Sequence, residues 1–225
     1  MSLVDGEGRV EILYGVSPLP LAPFFDVYLA RPDFAGAHPL VVVVAGDAGV
    51  TPSLRALCRR VARNGYAALA PDLFHSQPRG SIAAIAADRI NADLDALLSV
   101  TRDEWSRWCA SDRFAVLGLG DGVPAAIRLA SRPGGAAVIS PGSLHELDHV
   151  LTAHPAPLLA LVGGRSSEEA RVIHDSAGRG EWVVYAGAGP GFFDDGSEDY
   201  HRPSAEDAFK RLIAFLDGRL TRVGV

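Results

Sequence analysis

Residues 114–127, Phe-Ala-Val-Leu-Gly-Leu-Gly-Asp-Gly-Val-Pro-Ala-Ala-Ile, constrain the fold of this chain more than any other stretch. Residues 114–117 are apolar and suit a strand buried on both faces. A turn with glycine at Gly118, Gly120 and Gly122 follows, and a helical run over residues 123–130 leaves it. A strand that passes through a tight turn straight into a helix is one half of a crossover. The helix must lie back over the sheet, and the next strand must then run parallel to the first.

The same alternation covers the chain from residue 40 onward. Residues 40–45 form a continuous apolar, β-branched run, and residues 66–70, 136–140, 157–162 and 182–185 read as further strands. A helix is expected from Pro52, with Thr51 as N-cap, Leu54, Leu57, Cys58 and Val61 facing inward, and Gly65 as its end. One long helix is expected over residues 81–107. Ile82, Ile85, Ile90, Leu94, Leu97 and Leu98 form its inner side, and an Arg/Asp-rich solvated face the other. Shorter helices are expected over residues 144–151 and 167–177. A closing helix is capped by Ser204, stopped by Gly218 and packed through Ala208, Leu212, Phe215 and Leu216. Residues 9–14 and 24–30 read as two strands ahead of these, separated by the turn Ser17-Pro-Leu-Pro. The pattern predicts the α/β class: one domain over residues 1–225, a mostly parallel sheet with helices on both faces.

Charge and composition exclude several functions. The net charge is −6 with no block of like charges, so the basic footprint of a nucleic-acid-binding protein is missing. No apolar run reaches the roughly 18 residues that a membrane helix needs. The first residues lack the basic start and apolar run of a signal peptide, so a cytoplasmic protein is expected. Cys58 and Cys109 both fall in helical patterns far apart in sequence, and read as reduced structural thiols rather than a disulfide or metal pair. Gly118-x-Gly120 begins a dinucleotide fingerprint, but Val123 takes the place of its third glycine. Phosphate-loop, His-Glu-x-x-His and paired-cysteine patterns are absent, and no metal or cofactor is expected.

In a parallel sheet the site lies at the carboxyl ends of the strands. That points to the turns at residues 46–50, 71–77, 118–122, 140–143, 163–166 and 186–193. The turn at 118–122 has the frame Gly-x-nucleophile-x-Gly of a nucleophile elbow. Residues 63–74 (Arg-Asn-Gly-Tyr-Ala-Ala-Leu-Ala-Pro-Asp-Leu-Phe), 43–52, 185–193 and 205–211 add to it, and together they resemble the dienelactone hydrolase family over nearly the whole chain. The resemblance implies an α/β-hydrolase fold and a monomer or weakly paired homodimer. It also implies hydrolysis of lactones or esters by a Cys (sometimes Ser), an Asp and a His. Here Gly120 stands at the nucleophile position, Ser166 at the acid and Pro190 at the base.

Glycine has no side chain to attack with, so no acyl-enzyme can form at residue 120. Binding and an oxyanion hole alone still accelerate acyl transfer by about 10³–10⁴-fold. The hole expected from the resemblance uses the backbone N–H groups of Asp121 and Ala48. Asp121 reads either as a carboxylate favoured at a helix start or as a pocket acid or base, and Asp47 either as a turn cap or as a second pocket carboxylate. His75 follows the Pro-Asp-Leu-Phe stretch at a strand end and is the histidine best placed for proton transfer, against the plainer reading of a loop histidine. Ser76 and Ser143 are loop serines that could line the pocket, and Phe192 and Phe193 either line it or pack under the last helix. Three functions follow. One is a small-molecule protein without the triad, doing non-hydrolytic chemistry such as cyclisation, dehydration or isomerisation. The second is a hydrolase with a displaced nucleophile, and the third a non-catalytic binding or scaffold protein.

Overall fold

The computed structural model describes residues 10–18, 25–142, 151, 155–164 and 180–220. The strands are β1 (Ile12–Pro18), β2 (Asp26–Pro32), β3 (His38–Val44), β4 (Ala67–Pro71), β5 (Cys109–Leu119), β6 (Gly135–Ser140), β7 (Leu158–Gly164) and β8 (Glu181–Ala186). The helices are α1 (Pro52–Arg63), α2 (Ala87–Asp103), α3 (Val123–Ala130) and the closing α4 (Arg202–Arg219). They surround one eight-stranded sheet of order β1-β2-β4-β3-β5-β6-β7-β8. The pairings β1–β2 and β2–β4 are antiparallel and all others parallel. The expected α/β architecture, mostly parallel with helices on both faces, is what forms.

Alternate residues of the central strands feed two cores. Leu40, Val42, Val44, Phe114 and Val116 pack with α2 and α3 on one face. Val41, Val43, Ala115 and Leu117 pack with α1 and α4 on the other. Such strands must be apolar at every position because neither face meets water. Helix α1 begins as expected. Thr51 Oγ1 accepts the Leu54 N–H at 3.2 Å, and Pro52 occupies the first turn, where its missing N–H costs nothing.

Several expectations are corrected. The long helix of residues 81–107 is broken: a 3₁₀ turn, Ile82–Ala84, is separated from α2 by Ile85 and Ala86, whose ψ angles of 128° and 130° are extended. The inward isoleucines are buried as expected, but a different backbone puts them there. The polar side of α2 is not wholly solvated, because Asp93 is buried. Cys109 opens strand β5 rather than ending a helix, since His38 and Pro39 of β3 pair with Cys109 and Ala110. The first strand runs on through Ser17 and Pro18, where a turn was expected. Pro18 sits at the end of an edge strand, a place where a missing ladder donor is tolerated. His201, not Ser204, is the N-cap of α4, and Gly218 lies inside that helix. Helices expected over residues 144–151 and 167–177 lie outside the described residues, apart from Leu151. Among the described residues no helix is long and apolar enough to cross a membrane.

Candidate functional site

The turn after β5 is built by glycines with distinct tasks. Leu119 is extended (φ −119°), then Gly120 switches to φ +52°, the left-handed region that side chains disfavour. A 3₁₀ turn, Gly120–Gly122, leads directly into α3 with Pro124 in its first turn. Gly122 lies against the Ala45 carbonyl so closely that any Cβ there would clash, and a Cβ on Gly118 would stand 2.6 Å from Ala126 Cβ. Those two glycines let strand and helix approach. Gly120 differs, because a Cβ built on it meets nothing within 4 Å. Its side-chain direction points into open space.

That space is a hollow of about 300 Å³ at the carboxyl ends of β3, β5 and β6, bounded by the loop after β8. Asp47 and Ala48 reach it from the turn after β3, Gly120 and Asp121 from the turn after β5, and Pro190 and Phe193 from the loop after β8. Six positions singled out in the sequence thus meet at one place. Gly46 packs against the turn: a Cβ on it would lie 3.1 Å from the Asp121 nitrogen. Gly142 backs Gly120 from the other side, where a Cβ would be 3.4 Å from Gly120 Cα and 4.0 Å from Asp121 Oδ1. Phe192 does not line the hollow. It is fully buried and packs against Tyr185, with the ring centroids 4.8 Å apart and the rings tilted by 38°.

Asp47 Oδ1 accepts the Ile82 N–H at 2.7 Å. The carboxylate thereby holds the first donor of the 3₁₀ turn, which its neighbour Ser81 does not cap. This bond also fixes one wall of a second, larger compartment of about 720 Å³. It shares Asp47, Gly120 and Asp121 with the first and extends between residues 81–90 and the outer face of α3 as far as Arg128. The two compartments meet at Gly120.

His75 is elsewhere. Its Nε2 lies 3.1 Å from Asp93 Oδ2, with both side chains buried, and its ring stacks on Phe25 at 5.1 Å. Arg89 approaches the same pair, with Nη2 3.4 Å from His75 Nε2. The histidine borders a separate hollow with Phe25, Asp26 and Asp72, so the structure does not bring it to Gly120. Ser76 is exposed and lines neither compartment. Ser143 and Ser166 lie outside the described residues. Cys58 and Cys109 are buried, and burial pushes both thiols up to about 12. Among the described residues no group of three His, Cys, Asp or Glu side chains could hold a metal ion.

Three hydroxyls in the smaller hollow were not among the candidate site residues read from the sequence: Thr51, Ser140 and Ser197. Thr51 is committed to capping α1, and Ser197 Oγ accepts the Asp199 N–H at 3.1 Å to hold its own loop. Ser140 is the last residue of β6 and lies in register beside Leu119, one residue before Gly120. The signal that finds it is positional: it ends the strand next to the elbow strand, where a parallel sheet places its site.

Comparison with known proteins is consistent with this geometry. Residues 25–220 match the model of the dienelactone hydrolase family. A Salmonella typhimurium protein named "Putative carboxymethylenebutenolidase" is 30% identical over 224 aligned residues, covering 84% of this chain and 81% of that one. The crystal structure of a "Putative Dienelactone Hydrolase" from Klebsiella pneumoniae superimposes with a TM-score of 0.78 at 27% identity, over 92% of this chain and 99% of that one. A dienelactone hydrolase from Anabaena variabilis shares the fold at 18% identity, with a TM-score of 0.69 over 93% of this chain and 99% of that one. Sheet order, the strand–turn–helix at Gly120 and these matches together establish that the chain belongs to the dienelactone hydrolase family.

Proposed function

We propose that this protein binds a small carbonyl-containing molecule at Gly120 and acts on it without a covalent intermediate, its triad having been replaced at Gly120, Ser166 and Pro190. One observation carries the reading: residue 120 keeps a left-handed elbow backbone and faces an open hollow, yet supplies no side chain. Pro190 stands in the same hollow, where it has neither a proton to accept nor one to donate.

What remains suits polarisation and proton transfer. The N–H groups of Ala48 and Asp121 are the donors for a carbonyl oxygen, and would stabilise the negative charge that gathers there when a neighbouring C–H loses its proton. The carboxylates of Asp47 and Asp121 are the nearby proton carriers. Removing a proton beside the carbonyl and returning it elsewhere is an isomerisation. Expelling hydroxide with it is a dehydration, and attack by a group of the same molecule is a cyclisation. None of these needs an acyl-enzyme. The name of the relatives, carboxymethylenebutenolidase, makes an unsaturated lactone the first compound to try. The protein acts as a monomer or weak homodimer, and a reducing, cytoplasmic setting suits its two buried, unpaired thiols.

Ser140 supports a second reading, hydrolysis by a displaced nucleophile, because it ends a strand inside the same hollow. Rebuilding the missing groups tests the first reading. The triple variant Gly120→Cys, Ser166→Asp, Pro190→His is expected to gain hydrolysis of an activated ester that the parent lacks. A folded triple variant with no gain, or a parent that already turns the ester over through Ser140, contradicts it.

A further inference from the structure

We infer that the hollow beside His75 is a second binding site, distinct from the elbow. It takes a small primary amine, with the ammonium hydrogens donated to His75 Nδ1, Asp26 and Asp72 and an apolar body lying against Phe25 and Phe74. The hollow holds about 370 Å³ at the start of β2 and the end of β4, within the range of small-molecule sites.

The observation that carries this is at His75. Its side chain is only 7% exposed, and its ring is held on two sides, by Phe25 stacked at 5.1 Å and by Asp93 Oδ2 at 3.1 Å from Nε2. A carboxylate only accepts, so Nε2 carries the ring proton and donates it. Arg89 Nε, 3.9 Å from the same oxygen, balances the Asp93 charge. The lone pair is left on Nδ1. Among the described residues Nδ1 has no hydrogen-bond partner, yet it is not one of the unpartnered side-chain nitrogens sealed from solvent, which belong to His38, Arg55, Arg60 and Arg128. A lone pair on a buried, clamped ring that borders a hollow is placed to accept a hydrogen from whatever fills it.

Two neighbours in the hollow are acceptors as well. The Asp72 N–H donates to the Asp26 carbonyl at 2.9 Å and the His75 N–H to the Asp72 carbonyl at 3.3 Å, so the three residues are tied together through their backbones. Asp72 Oδ1 accepts the Phe74 N–H at 3.1 Å, but Asp72 Oδ2 and both Asp26 carboxylate oxygens have no partner among the described residues. Exposed carboxylates alone attract a cation weakly. Two of them beside a buried lone pair offer three acceptors and negative charge, and a primary ammonium matches them with three hydrogens and a positive charge. Arg79 also borders the hollow, but its Nε lies 3.4 Å from the point where a Cβ on Gly49 would stand, and the Phe74 ring 3.5 Å from it. That cation therefore sits at the wall beside the turn after β3. With Phe74 it partitions this hollow from the one at Gly120, which Gly49 lines.

Three probes separate charge from hydrogen donation: 2-phenylethylamine, the neutral 2-phenylethanol, and the quaternary N,N,N-trimethyl form of the amine. Calorimetry at pH 8 is expected to show the parent protein binding the amine at least about ten-fold tighter than either of the others. Asp26→Asn and Asp72→Asn each lower the amine's affinity several-fold, and Asp26→Asn leaves the thermal midpoint that of the parent. In ¹⁵N-labelled protein the His75 Nδ1 signal is that of an unprotonated nitrogen. It moves with the amine and not with the quaternary form, while the Gly120 amide stays in place. His75→Phe keeps a ring against Phe25 and removes the preference for the amine; if that variant does not fold, the Nδ1 signal decides. No binding of the amine, equal affinity for the amine and its quaternary form, indifference to both Asn variants, or a His75 Nδ1 that carries the proton overturns the proposal.

Discussion

Gly118 of strand β5 and Ala126 of helix α3 meet so closely that a Cβ on the glycine would stand 2.6 Å from the alanine's own. The elbow depends on this approach. Gly118→Ala forces strand and helix apart and is expected to lower stability by about 1–3 kcal/mol, the usual range for overpacking. Urea unfolding of Gly118→Ala, Ala126→Gly and the double variant checks it. The double variant recovers only part of the loss, because Val123 Cα would still lie 3.1 Å from the new Cβ.

Position 120 should be reactive when it is given a side chain. The parent's thiols, raised to about 12 by burial, are expected to resist a disulfide reagent at pH 8 until the protein is unfolded, when both Cys58 and Cys109 react. Gly120→Cys should add one thiol that reacts in the folded state, because a Cβ there faces open space. The left-handed backbone costs that variant about 1–2 kcal/mol. Thiol counting before and after denaturant reads both outcomes.

His38 makes stability depend on pH. Its ring is fully buried, and burial lowers its proton affinity. The Phe34 carbonyl, 3.2 Å from Nε2, opposes that shift and the charge of Arg31 adds to it. The folded chain therefore holds fewer protons at this site than the unfolded chain, whose histidine titrates near 6.5. The contribution is complete above the unfolded value and is lost as pH falls from there toward the lowered folded value. Stability measured by urea at pH 7.5 and 5 should fall less in His38→Gln than in the parent.

Asp93 is expected to matter for stability and not for the elbow. Asp93→Ala leaves buried His75 without its carboxylate and should cost about 1–3 kcal/mol. His75 borders a different hollow, so in the Gly120→Cys background this change should leave the labelling rate of the introduced thiol unaltered. A slower or faster rate would tie His75 to the site.

The elements buried on both faces were legible in the sequence because nothing but an apolar run can occupy them. Helix α3 was bounded at residues 123 and 130, as it forms. The elbow residues were legible for a related reason: a site at strand ends collects turns, and Asp47, Ala48, Gly120, Asp121 and Pro190 are all turn residues. What stayed hidden was set by partners distant in sequence. The break before α2 accompanies a bond from Asp47 to the Ile82 nitrogen, 35 residues away, and Ile82 and Ile85 keep a helical spacing across it. The strand character of Cys109 comes from its pairing with His38. Asp93 looked like part of a solvated face because His75, 18 residues earlier, was not known to lie against it.

No covalent intermediate is expected to form on this chain. Intact mass after incubation of the parent with a fluorophosphonate, and separately with an activated ester, tests it most directly. An unchanged mass is expected in both cases. A stoichiometric adduct, above all one mapped to Ser140, would contradict it.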